Sequence, residues 1–173
     1  MNAICCIARV PDTATRIKIA GDGKSIDPEG VQYVINPYDE FALEAAIQFK
    51  ERHEGELLVI HVGDGDFSKD LRQCLAKGAD RAVQLKPSAP VGPHGISALI
   101  AEKVASLMPA TVFCGKQAVD GDVGGTGIML AGALGVPAVA KVSSLEFTDA
   151  GATCTREIEG GTETLEATFP CVL

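Results

Sequence analysis

The sequence predicts an α/β fold: a doubly wound, mainly parallel sheet with helices on both faces, followed by a C-terminal antiparallel hairpin. Three observations carry that expectation. Short apolar runs alternate with helix-patterned segments from the N-terminus to Leu134. The first run, AICCIARV, is apolar without period-two alternation, as a strand covered on both faces is. After Pro137 the pattern changes to strand-like pieces separated by turn residues. Right-handed crossovers between the parallel strands then place helices on both faces.

Taken in order, AICCIARV reads as the first strand. The segment TRIKIAGDGKSIDPEGVQYVINP alternates at Ile17 and Ile19, turns at Gly-Asp-Gly and continues through Val31, Tyr33 and Ile35, which suggests a hairpin excursion. Asn36 stands at an N-cap position before Pro37 at the first helical residue, and Phe41, Ala42, Ala45, Ala46 and Phe49 form the apolar face of that helix. ELLVIHVG is the next strand, FSKDLRQCLAKGAD a helix closed by Gly78, and RAVQLK a short strand. Pro93 opens a helix reaching about Met108, ATVFCG is a strand, and Thr126 to Leu134 is a helix. KVSSLEFTD, ATCTREIEG and ETLEATFP, divided by Asp149 to Gly151 and by Gly160-Gly161, close the chain as an antiparallel meander or hairpin. An antiparallel piece at the terminus leaves an unpaired edge. No linker divides residues 1–173, so one domain is expected.

Composition narrows the function. A net charge of -8 argues against sequence-independent nucleic-acid binding, which needs clustered Lys and Arg, and two Tyr, six Phe and no Trp leave few platforms for stacking bases. No stretch approaches the length of a membrane span. The N-terminus MNAICCIARV has no basic region or cleavage site, which predicts a cytoplasmic location; a mitochondrial matrix origin requires a removed transit peptide. Six cysteines lie mostly inside apolar runs without C-x-x-C or C-x-x-H spacing, and read as reduced buried thiols rather than zinc ligands.

The chemistry concentrates in GKQAVDGDVGGTG, Gly115 to Gly127, with two aspartates and five glycines between a strand and a helix. In an open parallel sheet, ligands bind beyond the carboxyl ends of the strands. Free N–H groups at a helix N-terminus attract an anion, and glycines let a phosphate approach without a Cβ in the way. The loop matches neither G-x-x-x-x-G-K-[ST] nor a strand-leading G-x-G-x-x-G, so a plain tight turn stands beside nucleotide binding. Asp120 and Asp122 suit a ribose hydroxyl, a magnesium ion or a helix N-terminus. Lys116 is the one basic side chain there. His53, His61 and His94 have no nucleophile at usable spacing and no G-x-S-x-G elbow is present, so side-chain catalysis is not indicated.

Four blocks in register, NPYDEFALEAAIQFKE, LAKGADRAV, GKQAVDGD and REIEGGTETL, resemble the beta subunit of the electron transfer flavoproteins across essentially the whole chain. The resemblance implies a Rossmann-like nucleotide-binding domain of the adenine nucleotide alpha hydrolase type, paired with an alpha subunit that binds most of the FAD. Such a heterodimer carries electrons from acyl-CoA or other dehydrogenases to a quinone reductase or another acceptor. The beta subunit holds AMP, or a second FAD in electron-bifurcating members, and is a carrier subunit rather than an enzyme. Carried over by position, backbone groups at Cys6 and Val62 cradle the adenine. Asn36, Pro37, Tyr38 and Asp39 stand at the helix entrance, with Tyr38 near the alpha-subunit flavin. Gly115, Lys116, Gln117, Ala118 and Val119 lead out of the strand; Asp120, Gly121, Asp122, Val123, Gly124, Gly125 and Thr126 hold the phosphate, the last also through its hydroxyl. Two departures stand out: Gly125 replaces a glutamine common in the family, and the family's C-terminal arm, which wraps the alpha subunit and docks dehydrogenases, is missing after Leu173. A second reading keeps the same pocket in a stand-alone ATP- or AMP-binding regulatory module of universal-stress type.

Overall fold

Five parallel strands in the order β10-β6-β1-β4-β5 form the main sheet of the computed structural model, which describes residues 1–173. Along the chain the elements are β1 (Ala3–Cys6), β2 (Arg9–Pro11), β3 (Tyr33–Ile35), α1 (Pro37–His53), β4 (Leu57–Val62), α2 (Ser68–Lys77), β5 (Arg81–Leu85), α3 (Pro93–Ala105), β6 (Thr111–Cys114), α4 (Thr126–Leu134), β7 (Val142–Phe147), β8 (Gly151–Ile158), β9 (Gly161–Thr168) and β10 (Cys171–Val172). Successive residues of a strand face opposite sides. Ala3, Cys5, Leu57 and Val59 therefore pack under α1 and α2, whereas Ile4, Cys6, Leu58 and Ile60 pack under α3 and α4. Both faces are covered, which is why the strands read as unbroken apolar runs. The doubly wound expectation holds.

The first run breaks earlier than its composition suggests. AICCIARV is β1 plus β2, because the N–H of Ala8 donates to the Asp39 carboxylate at 2.7 Å and the chain turns out of the sheet. The hairpin excursion is also built differently: β3 pairs antiparallel with β2, and Ile19 makes only an isolated bridge with Ile26. Ile17 and Ile19 stay exposed at 43% and 68%, since no layer covers that arm. On α1 the expected apolar face is rotated. Phe41 is 75% exposed, and Leu43 and Ile47 are buried in its stead because they face the sheet. α3 ends at Ala105 rather than Met108, which adopts φ 44 beyond it.

The C-terminal part is a three-stranded antiparallel meander, β7-β8-β9. Its inner face carries Ala152, Cys154 and Ala167, and it joins the main domain through aromatic rings. Phe49 of α1 lies 5.9 Å from Phe113, 5.1 Å from Phe147 and 5.5 Å from Phe169 between ring centroids. The chain does not end on this meander as expected. It returns as β10, which pairs parallel with β6 through Cys171↔Thr111 and Val172↔Val112. The terminal residues are thus hydrogen-bonded into the parallel sheet rather than left on an antiparallel edge.

Candidate functional site

β1 sends its connection to β4 on one side, while β6 flanks it on the other, so the loops leaving β1 and β6 diverge at their carboxyl ends. Such a switch point opens a crevice in a doubly wound sheet. Here it is a cleft of about 280 Å³, bounded by the β1–β2 turn, the start of α1, the end of β4, the first turns of α3 and the glycine-rich loop.

Two side chains from the start of α1 hold this cleft open. Asp39, 6% exposed, accepts the N–H of Ala8 at 2.7 Å with Oδ2 and the N–H of Gly115 at 3.1 Å with Oδ1, clamping the exits of β1 and β6 to each other. Burial raises its carboxyl from 3.8 to about 6, against the lowering effect of those two donors. Gly115 has no alternative residue: a Cβ there would collide with the Asp39 carboxylate. Asn36, 1% exposed, occupies the N-cap position but spends its side chain elsewhere. Its Nδ2 donates to Gln117 O at 2.9 Å, and its Oδ1 accepts the N–H of Val119 at 3.2 Å, which fixes the path of the loop.

Beyond that tether the loop coils. Asp122 has φ 51 and Gly124 φ 60, both left-handed. Asp122 donates its N–H to Ala118 O at 2.9 Å, and its Oδ1 accepts from Gln117 Nε2 at 2.7 Å. The backbone N–H groups of Val123, Gly124, Gly125 and Thr126 find no protein acceptor. They run into α4, whose N-cap is Gly125 without a side-chain cap, so neither Asp120 nor Asp122 caps that helix. A series of unpaired donors at a helix N-terminus suits an anion. The residues present therefore fit the phosphate of a nucleotide.

The opposite wall carries two polar side chains, Arg9 and His61. Arg9 is the only Lys or Arg lining the cleft. Its Nε lies 3.2 Å from Asp70 Oδ2 without hydrogen-bond alignment, and its guanidinium sits 5.0 Å from the Tyr33 ring and 5.3 Å from that of Phe67. His61, 4% exposed, stacks on Phe67 at 3.7 Å, with Nδ1 2.7 Å from Ile7 O. Burial lowers its basicity, so the neutral ring donates from Nδ1 to that carbonyl.

The fold brings most of the sequence-derived residues together. Cys6, Asn36, Asp39, Val62, Gly115, Gln117, Ala118 and the stretch from Asp120 to Thr126 line the cleft. Tyr38 and Lys116 do not. They line a separate, mostly apolar groove of about 470 Å³ on the far side of Gly115, where Lys116 Nζ stands 4.8 Å from the Tyr38 ring. Pro37 and Val119 line neither, the first as the opening residue of α1 and the second through its bond to Asn36. Missed from sequence were Ile7 to Val10, Ile60, His61, Pro93, Ile96, Ile100 and Cys114. For the α3 residues a signal existed: Pro93 opens a helix after a parallel strand, so its first turns had to face the carboxyl end of the sheet.

The family described as the electron transfer flavoprotein domain matches residues 24–173. The electron transfer flavoprotein subunit beta of Dictyostelium discoideum is 34% identical over 168 residues, 96% of this chain and 67% of that protein. The subunit beta of Bradyrhizobium diazoefficiens is 32% identical over 174 residues, covering 100% of this chain and 70% of its own. Protein FixA of Sinorhizobium fredii is 36% identical over 183 residues, 100% of this chain and 64% of that protein. The chain thus spans about two thirds of the length of these relatives.

Proposed function

The chain belongs to the electron transfer flavoprotein family, and from that premise we propose that it serves as the beta subunit, binding AMP in the cleft between the exits of β1 and β6. The observation that supports this reading best is the run of unpaired N–H groups from Val123 to Thr126, aimed where a phosphate is needed. Cys6 and Val62 offer backbone groups to the adenine, and the Thr126 hydroxyl adds to the phosphate grip. A cleft of about 280 Å³ favours a mononucleotide over a dinucleotide in this pocket. AMP there is a structural ligand, whereas a second FAD would accept and donate electrons. Partnered with an FAD-bearing alpha subunit, the chain helps carry electrons from acyl-CoA or other dehydrogenases to a quinone reductase. Tyr38 and Lys116, on the groove side of Gly115, belong in this reading to the face turned toward that flavin.

Denaturing the purified protein and identifying the released molecule by absorbance and mass spectrometry tests the assignment. AMP is the expected result; FAD released from this chain alone makes it a bifurcating subunit, and ATP or an empty cleft sinks the reading. Co-expression with the alpha subunit is expected to give a yellow heterodimer.

Gly124→Val is expected to reduce bound nucleotide to about a tenth or less. The left-handed φ of 60 costs a side chain about 1–2 kcal/mol, and the added Cβ lies 3.0 Å from Lys116 O. Stoichiometric nucleotide in that variant rules out the loop as the phosphate site. Asp149→Asn, in the turn before β8, is expected to leave ligand content unchanged.

A further inference from the structure

Cys6 and Cys114 are register partners on the adjacent parallel strands β1 and β6, each the last residue of its strand. Neighbouring strands lie about 4.8 Å apart, within the span of about 4.4–6.8 Å that disulfides bridge between Cα atoms. Register partners in a parallel pair point to the same face, and both side chains belong to the layer under α3 and α4. Both residues line the cleft: Cys6 is 8% exposed and Cys114 is half-buried. Gly127 leaves space beside Cys114, since a Cβ there would stand 3.2 Å from its Cβ and 3.5 Å from its Sγ. None of the other cysteines lines the cleft. Cys5 faces the opposite layer with Phe113 as its register partner, Cys74 lies on the inner side of α2, and Cys154 of β8 and Cys171 of β10 are buried in the core beneath the meander.

We propose that Cys6 and Cys114 form a peroxide-sensitive thiol pair whose disulfide closes the floor of the cleft and excludes its nucleotide. The half-buried Cys114 meets the oxidant first. Its sulfur attacks one peroxide oxygen, the O–O bond breaks, and the products are a sulfenic acid on Cys114 and one water. The Cys6 sulfur then displaces the sulfenic hydroxyl, which leaves with the Cys6 proton as a second water. Two thiols are oxidised by two electrons, and one hydrogen peroxide is reduced to two waters. The neighbouring Cys114 thiol and burial hold the Cys6 thiol well above its ordinary range, which assigns it the second, intramolecular step. The disulfide imposes its own Cα separation and dihedral angle on the two strand ends that Asp39 clamps to each other through Ala8 and Gly115, so the adenine-facing backbone at Cys6 moves. The exclusion of nucleotide rests on the AMP site proposed above; the thiol pair rests on the register alone.

The experiment treats the reduced, nucleotide-free full chain with hydrogen peroxide, with and without AMP, and follows loss of two hydrogens by intact mass and the cross-link by peptide mapping. The expected cross-link is Cys6–Cys114, reversed by dithiothreitol. AMP at a hundred times its Kd is expected to slow its formation about a hundredfold, and the oxidised protein is expected to bind no AMP. Cys5→Ser is expected to give the same cross-link, and Cys114→Ser none. Cross-linking elsewhere, or sulfinic acid on Cys114 with Cys6 still free, overturns the pair. A cross-link forming equally fast in protein shown by dialysis to hold AMP overturns the exclusion. Failure of AMP to bind the reduced protein sinks the nucleotide reading, and a Cys6–Cys114 cross-link in the same sample still supports the pair.

Discussion

Asp39→Ala is expected to lower the unfolding free energy by about 2–6 kcal/mol, because the N–H groups of Ala8 and Gly115 each lose their acceptor at about 1–3 kcal/mol apiece. Nucleotide should be lost with it, since the same carboxylate fixes the exits of both strands that frame the cleft. Urea unfolding at pH 7 measures the first effect and ligand release the second; a variant as stable as the parent removes Asp39 from the framework. The charge on this residue has a separate signature. Its carboxyl is raised from 3.8 to about 6 by burial, so in the folded state it holds a proton that the unfolded chain has released. Its contribution therefore favours folding below about pH 4 and is lost as pH rises through about 6, a swing on the order of 3 kcal/mol. His61, whose basicity burial lowers, acts the other way: the unfolded chain takes up a proton as pH falls through the ordinary histidine range, which destabilises the fold. The difference between parent and Asp39→Asn isolates the carboxyl. Between pH 4 and 6 that difference should change with the slope described, and a constant offset would show that Asp39 is already ionised throughout.

Phe49→Ala is expected to cost about 3–5 kcal/mol, the range for emptying a large aromatic from a closed core. Phe49 is 0% exposed and touches four rings at once: Phe113 of β6, Phe147 of β7, Phe169 after β9 and His53 in its own helix at 4.4 Å. The first of these belongs to the sheet and the next two to the meander, so one side chain joins the two parts. Collapse of the cavity requires them to move together, which the ladder between β6 and β10 resists. Phe49→Leu, which keeps most of the volume, should cost less than half as much. Chemical denaturation of both variants checks the ordering, and amide exchange should show the meander losing protection before β1 and β4 do. Equal protection loss throughout would mean that Phe49 is not the joint between them.

How much of this could be read from the chain depends on the range of the forces involved. The limits of α4, Thr126–Leu134, and the start of α1 at Asn36-Pro37 are set by glycines and prolines acting within a turn, and both were legible. The exposed position of Phe41 was not. α1 carries apolar residues on more than one face, and only the sheet beneath decides that Leu43 and Ile47 go inward. β10 was missed for a similar reason, since two residues after Pro170 carry no period and owe their state to a partner far upstream. In the cleft, the loop was evident from its glycines, and Asn36 and Asp39 from the family blocks. Their actual work, side chains tying backbone to backbone, needed the fold. Arg9 and His61 come from segments without a motif, and the fold sets them on either side of Phe67 in the cleft wall. Lys116 belongs to the loop and Tyr38 to the first turn of α1, yet both side chains lie on the other side of Gly115.

The pairing of β10 with β6 also sets an order of assembly on the ribosome. Cys171 pairs with Thr111, 60 residues earlier, and everything between them is α4 and the meander. At about 5–20 residues per second, β6 emerges roughly 3–12 s before its outer neighbour. For that interval the nascent sheet presents an open flank, and a protein that holds Thr111–Cys114 in the meantime would act on the growing chain rather than the finished one. The meander, built from neighbouring segments, closes on its own timescale, and its completion delivers the last strand to the sheet.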